Sequence, residues 1–373
     1  MPTISPDSRP RRLISASALR HNFELLRLHA GAAPELWPAL KADAYGHGVA
    51  VVLAVVRAFE APLRPGGICL ARVSEAIEVR NLGWDGRLLV MGPAPGAVAP
   101  EAVATGIELC VCAPCHVDAA AAAARAANTR GGVHLKIDTG MRRIGCAPED
   151  VPALLERIRA TGCLEVKGLM SHLARADEPG NPHAEALTQR QHAVFSEAID
   201  LARAWWRDHA TALAFPPIHL ANSAAILLET PAARFDIVRP GLAIYGLLPF
   251  NHAPATGLRP VMELRAPVVA AGTHHWKVGI GAADGFSPRH GGRASALLHP
   301  EGWPLPIVQV DACTSVVELP GGAHHVPVPA EVMVVGIAGA RCQTAEQLAA
   351  VAGTINYEVT TGLAPDLPTS LLE

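Results

Sequence analysis

The stretch Lys41-Ala42-Asp43-Ala44-Tyr45-Gly46-His47-Gly48 sets an amine, a phenol and an imidazole close together in the chain. It follows an apolar run over 36–40 that reads as a short buried strand, and it precedes a helical pattern over 49–59. A lysine at the C-terminal end of a buried strand is partly desolvated. That favours its neutral amine and suits either a Schiff base or general-base work. A surface lysine at a strand edge is the plain alternative. The glycines allow a tight turn, and Tyr45 and His47 place hydrogen-bonding groups beside the amine.

Other strand-end clusters recur along the chain. His134-Leu135-Lys136-Ile137-Asp138-Thr139-Gly140-Met141-Arg142-Arg143 reads as a strand running into a glycine-bearing turn with two arginines. Gly168-Leu169-Met170-Ser171-His172 ends a further strand in a histidine, either a satisfied core residue or a participant in chemistry. His219-Leu220-Ala221-Asn222-Ser223 sits at a strand-to-helix junction, where N–H groups hold a phosphate or the side chains merely cap a helix. Val238-Arg239-Pro240-Gly241 runs into the apolar Leu242-Ala243-Ile244-Tyr245.

The elements that position these groups alternate. Apolar runs at 67–69, 88–91, 108–111, 133–137, 168–171, 218–221 and 243–245 are interleaved with helical stretches at 74–82, 118–127, 151–160 and 187–206. A parallel (β/α)8 barrel and a doubly wound open sheet share this alternation. The polar clusters all fall at C-terminal strand ends, where barrel enzymes keep their chemistry, and this favours a TIM-like barrel over 10–248. Beyond about 250 the helical periodicity fades into turn-separated β runs at 267–271, 307–310, 315–319 and 331–335, with one helix at 344–352. The fold expected is therefore α/β, the barrel being followed by a smaller, mostly β domain over 249–373.

The chain has 373 residues, and its net charge of -3 gives no electrostatic case for nucleic acid or an anionic membrane. No run of about 18 apolar residues is present, so a cytoplasmic protein acting on a small molecule is expected. The eight cysteines are scattered, consistent with a reducing compartment. Cys112-Ala113-Pro114-Cys115-His116 has the spacing of c-type haem attachment, but that attachment belongs to exported proteins and 107–111 reads as an ordinary buried strand. Cys110 adds a third thiol without a further clustered ligand, so no metal is expected.

Taken together, the five clusters resemble the bacterial alanine racemases, fold-type III enzymes that use pyridoxal 5'-phosphate (PLP). The family's lysine motif is Lys-Ala-Asn-Ala-Tyr-Gly-His-Gly, from which only Asp43 departs. The resemblance implies Lys41 as Schiff-base lysine and as base on one face of the α-carbon. It implies Arg143 at the cofactor's phenolic oxygen and the substrate carboxylate, with Lys136, often carbamylated in the family, bracing that arginine. It places His172 on the arginine beneath the cofactor ring, and Tyr45, Ser223 and Tyr357 on the phosphate, with Asn222 and Gly241 in the matching blocks. Arg239 would face the pyridine nitrogen. An arginine does not readily give that nitrogen a proton, which favours returning the α-proton over transamination.

The family's second base is a tyrosine from the partner subunit's β domain, so the resemblance also implies a homodimer. Here the three tyrosines, Tyr45, Tyr245 and Tyr357, already match other family positions. The segment 271–286 fuses two family blocks. One alignment puts Ile280 where the tyrosine stands; the other deletes the position. The family's substrate-side Met-Asp pair is Ala312-Cys313. Replacement bases are Cys313, His274 or His275. The function expected is racemisation or epimerisation of a small or modified amino acid with an altered second base. The alternatives are other PLP chemistry (one-base inversion, retro-aldol cleavage, elimination, decarboxylation) or PLP binding without catalysis.

Overall fold

The computed structural model describes residues 9–93, 100–250, 256–292, 294–319 and 327–372. Strands Gly67–Leu70 and Ile107–Val111 are buried at every residue, as parallel strands covered on both faces must be. Eight such strands lie parallel in the order Glu35–Leu36, Ile237–Val238, Ile218–His219, Leu164–Met170, Gly131–Lys136, Ile107–Val111, Arg87–Val90 and Gly67–Leu70. The sheet closes on itself. Leu40 N–H donates to the Cys69 carbonyl at 3.0 Å and Cys69 N–H to the Pro38 carbonyl at 2.9 Å. Closure settles the barrel against the open sheet. The helix Val49–Arg57 buries Val49, Val52, Leu53 and Val56, one face at helical spacing.

Two expectations need correction. The run at 243–245 is not a strand but part of a 3-10 helix, Leu242–Tyr245, and the last barrel strand is Ile237–Val238. Hydrophobicity there reported burial, while the ladder donors are diverted. Ser223 Oγ accepts the N–H groups of Gly241 at 2.9 Å and Ala243 at 3.3 Å. The barrel also does not begin at 10. Arg11–Ile14 pairs antiparallel with Met262–Ala271 and parallel with Thr369–Leu371, so both ends of the described chain join the β domain. Only long-range pairing reveals this.

The β domain is a ring of antiparallel strands: Met262–Ala271, His275–Val278, Ser315–Glu318, Pro304–Val310, Ala296–Leu298 and Glu331–Ala338, the last pairing back to the first. Helices Ala345–Ala352 and Asn356–Thr361 follow. The second was not expected from sequence. It docks on the barrel through Asn356 Nδ2, which donates to the Leu248 carbonyl at 2.8 Å. Among the described residues no helix is long and apolar enough to cross a membrane.

Candidate active site

Lys41 opens a turn of unusual hand. Ala42, Asp43, Ala44 and Tyr45 all lie in the left-handed region, with φ between 52° and 54°. Each such non-glycine residue costs about 1–2 kcal/mol, so the turn persists only because its surroundings over-determine it. Glu75 Oε1 accepts from Ala42 N–H at 2.9 Å, and Asp43 Oδ1 accepts from Val49 N–H at 2.7 Å. Gly46 is pressed against the C-terminal helix; a Cβ there would lie 1.9 Å from the Thr360 carbonyl oxygen. His47 does not stand beside the amine as expected. It is buried, stacks on Tyr245 at 4.5 Å, and its Nδ1 donates to the turn's own carbonyls of Ala44 and Tyr45. Burial lowers it to about 4, so it is a neutral brace.

Lys41 is half-buried. Desolvation lowers its pKa, the nearby Arg143 guanidinium lowers it further, and Glu75 opposes them. Its Nζ lies 5.5 Å from the centroid of the Tyr45 ring. Tyr45 in turn meets Tyr357 edge-on at 6.5 Å, which brings the C-terminal helix to the site. A Cβ on Gly241 would lie 2.7 Å from the Tyr45 hydroxyl, so only glycine leaves room for it. Ser223 Oγ also reaches Gly241, where it accepts, leaving its own proton to donate elsewhere. Asn222 behaves as the plain reading has it: its Oδ1 caps the short helix Ser223–Leu227 through Ala225 N–H at 3.1 Å.

Cations converge on the mouth of the barrel. The charges that depress His172, after its burial, are Arg239, Lys136, Arg143 and Lys41 in that order. His172 is therefore neutral, and among the described residues no hydrogen bond joins its ring to Arg143 or to Arg239. Lys136 is buried and donates to the Met91 carbonyl at 3.1 Å. Arg143 is exposed.

Beneath this mouth runs a chain of side chains that sequence reasoning missed. Arg239 Nη1 bonds His219 Nδ1 at 2.6 Å, His219 Nε2 meets His134 Nδ1 at 2.9 Å, and His134 Nε2 meets Glu108 Oε2 at 2.6 Å. Arg87 closes the chain with two bonds to the same carboxylate, at 2.7 and 3.0 Å. Arginine only donates, so His219 Nδ1 must accept; each histidine is then neutral with its proton on Nε2, donating toward Glu108. Desolvation lowers both imidazoles, consistent with this. The intervening strand makes space with Gly168, whose Cβ would fall 2.3 Å from His134 Nδ1. The available signal was polar residues inside otherwise apolar buried runs, with a glycine between them.

Arg239 also donates through Nη2 to the Ser171 carbonyl at 2.6 Å, which leaves its Nε and the second Nη1 proton for a ligand. A donor-only group at the C-terminal end of a strand, hydroxyls from Tyr45, Ser223 and Tyr357, converging cations and a desolvated amine fit PLP: its pyridine nitrogen accepts, its phosphate is anionic, and its aldehyde reacts with amines.

The three candidate second bases are not brought together. Cys313 is exposed on the turn before Ser315–Glu318. That turn packs on the 281–284 segment, where Ala282 and Ala283 N–H groups donate to the Asp311 and Ala312 carbonyls. His275 is exposed and pairs with Glu318, whereas Val278 pairs with Ser315, so it stands at the opposite end of the ladder. His274 shares that end, its carbonyl accepting from Leu319 N–H. In the cysteine-rich stretch, Cys112 Sγ lies 3.5 Å from His116 Nδ1, and among the described residues no group of three side chains could hold a metal ion.

Comparison with known proteins agrees with this fold. The family model described as alanine racemase, N-terminal domain, matches residues 14–249, and the one described as alanine racemase, C-terminal domain, matches 267–371. The alanine racemase of Beutenbergia cavernae is 35% identical over 386 aligned residues, covering 96% of each chain. That of Salinispora arenicola is 35% identical over 370, covering 93% of this chain and 94% of the relative. Among solved structures, the alanine racemase of Streptomyces lavendulae superposes with a TM-score of 0.83 at 30% identity, covering 99% of this chain and 98% of that one. The alanine racemase of Clostridium difficile 630 in complex with cycloserine gives 0.86 at 25% identity, over 99% and 97%. The chain belongs to the alanine racemase family of PLP-dependent isomerases.

Proposed function

We propose that this protein is a homodimeric PLP-dependent racemase or epimerase of a small or modified amino acid. The observation that carries the reading is the desolvated amine of Lys41 at the barrel mouth, facing the guanidinium of Arg143 and set among Arg239 and Lys136. Such a mouth matches a phosphate and a carboxylate together. Bound there, PLP supplies the electron sink that acidifies the substrate's α C–H. Lys41 is the attachment point and the group that takes and returns the α-proton on one face. Arg143 holds the substrate carboxylate. Tyr45, Ser223 and Tyr357 hold the phosphate, with Gly241 leaving room for the Tyr45 hydroxyl. Arg239, fixed by His219 and the Ser171 carbonyl, donates to the pyridine nitrogen without protonating it and so keeps the proton returning to carbon.

On the other face the second base is altered. Tyr45 and Tyr357 lie at the cofactor side, and Tyr245 is buried with its hydroxyl donating to the Ala39 carbonyl at 2.9 Å. Ile280 is buried in the core, and a tight turn joins Ala271 to Trp276, in keeping with the alignment that deletes the family's tyrosine segment. Cys313 is our candidate for the place, because its turn adjoins the 281–285 segment that packs on Gly362, next to the helix bearing Tyr357. His275 lies at the far end. The missing tyrosine also favours a second reading, in which Lys41 works alone and the product is not a racemate.

Proton NMR of the PLP-loaded protein in D2O with a panel of L- and D-amino acids, combined with chiral chromatography, decides between them. Exchange of the α-proton with loss of configuration is the expected result. Exchange without inversion, or a new product, establishes the second reading, and silence across the panel leaves PLP binding without catalysis.

A further inference from the structure

Asp43 is the one residue by which 41–48 departs from the motif it resembles, and a buried cation lies against it. Arg12 is 2% exposed. Its guanidinium engages all five N–H donors. Nε donates to Thr369 Oγ1 at 2.8 Å; Nη1 to Asp43 Oδ2 at 3.1 Å and the Gly46 carbonyl at 2.8 Å; Nη2 to the carbonyls of Pro365 at 3.1 Å and Leu367 at 3.3 Å. Four of these acceptors are neutral. Asp43 is the one charge among them, and a guanidinium withdrawn from water needs such a partner.

The partners fall in two segments far apart in sequence. Asp43 and Gly46 belong to the left-handed turn that begins at Lys41; Pro365, Leu367 and Thr369 belong to the tail that follows the Tyr357 helix. Arg12 itself comes from Arg11–Ile14, the strand that leaves the barrel to join the β domain. The second oxygen of Asp43 accepts from Val49 N–H and so ties the end of the turn to the helix Val49–Arg57. Further contacts press the same surfaces together: a Cβ on Gly48 would lie 2.8 Å from Thr369 Cγ2.

We infer that Arg12 and Asp43 are a charge-matched pair of positioning residues, which clamps the turn bearing Lys41 against the C-terminal segment and so sets Lys41 relative to Tyr357. Both act through the backbone of the turn. The asparagine usual in the motif is therefore the wrong residue in this chain as long as Arg12 is present. The inference rests on the reading of Lys41 as the attachment point for PLP.

The test is a cycle of Asp43→Asn, Arg12→Met and the double variant in the full chain, with Lys41→Ala as control. Three quantities are read: the Kd for PLP, the fraction of bound PLP fixed to the protein by borohydride at saturating cofactor, and the unfolding midpoint of the cofactor-free protein. Asp43→Asn is expected to weaken PLP binding about tenfold and to lower the fixed fraction well below the midpoint temperature, whereas in the Arg12→Met background the same change costs less than about twofold. Equal cost in both backgrounds overturns the pairing. A lowered midpoint with an unchanged fixed fraction overturns the positioning role, since a merely structural contact moves only the former. If the unaltered protein fixes no PLP, or Lys41→Ala still fixes it, the proposed function fails instead, and the midpoints alone still decide the pair.

Discussion

The barrel mouth gathers its candidate residues, whereas the β domain holds its own apart. At the mouth, Lys41 feels the charge of Arg143 and lies by the Tyr45 ring, Ser223 reaches Gly241, and Gly241 leaves room for the Tyr45 hydroxyl. In the β domain His274 and His275 stand at one end of a ladder and Cys313 beside the other, and Ile280 is buried in the core. The cofactor is common to every substrate, so its cradle is constrained by one unvarying shape. The substrate side is constrained only by the particular amino acid handled. The contrast yields a graded set of expectations.

The largest effect belongs to the mouth. Lys41→Ala removes the amine and with it all borohydride-reducible attachment of PLP, read by intact-mass measurement after reduction. A reducible bond persisting in that variant sinks the assignment of the whole site.

Next is the substrate side. If Cys313 supplies the second proton transfer, Cys313→Ala lowers inversion by about 10²–10⁴-fold. PLP retention and one-face α-proton exchange should be kept, because no group at the mouth is touched. Unchanged inversion returns the second base to an open question and weakens the contrast.

The same contrast explains what was legible in the sequence. Lys41, Arg143, His172 and Ser223 each follow a run that the sequence marks as a strand, and in a barrel the C-terminal end of a strand is already a location; the strand before Arg239 was read at 243–245 instead. The β-domain candidates depend on hairpin register and on pairing between segments as distant as Arg11–Ile14 and Thr369–Leu371, which no local period encodes. The left-handed hand of 42–45 was also hidden, since of these residues only Asp43 is of a type that visits it readily, and then singly, so tertiary contacts impose it. The chain from Arg239 to Glu108 joins separate strands and becomes visible only once their order is known.

A smaller effect tests the seam between the two regions. Gly46 has φ +78° and faces the Thr360 carbonyl, so Gly46→Ala must strain the turn and displace the C-terminal helix. A loss of about 2–4 kcal/mol in denaturant unfolding is expected, with weakened PLP binding because Tyr357 moves with that helix. Loss of stability with intact PLP affinity separates Tyr357 from the cofactor.

Acid sensitivity should follow the mouth as well. His47, His134, His172 and His219 are held neutral by burial, His47 lowered from 6.5 to about 4. Between those values the unfolded chain binds more protons than the folded one, so stability rises with pH and is lost progressively as pH falls below 6.5 toward 4. The unfolding midpoint of the cofactor-free protein, followed through that window, should fall steadily. A flat profile means the imidazoles are already charged in the fold, and the tautomer chain toward Glu108 is then wrong.

The smallest expected effect is the sharpest on the β domain itself. His275 is exposed, its backbone pairs with Glu318, and the ladder's other end, at Val278 and Ser315, adjoins the Cys313 turn. A side chain so placed is ordinary solvated surface, so His275→Gln should change both inversion and PLP binding by less than about twofold. A large loss of inversion with exchange intact would mean that the hairpin end, rather than the Cys313 turn, faces the partner's barrel mouth, and the dimer would then assemble through the opposite edge of the β domain.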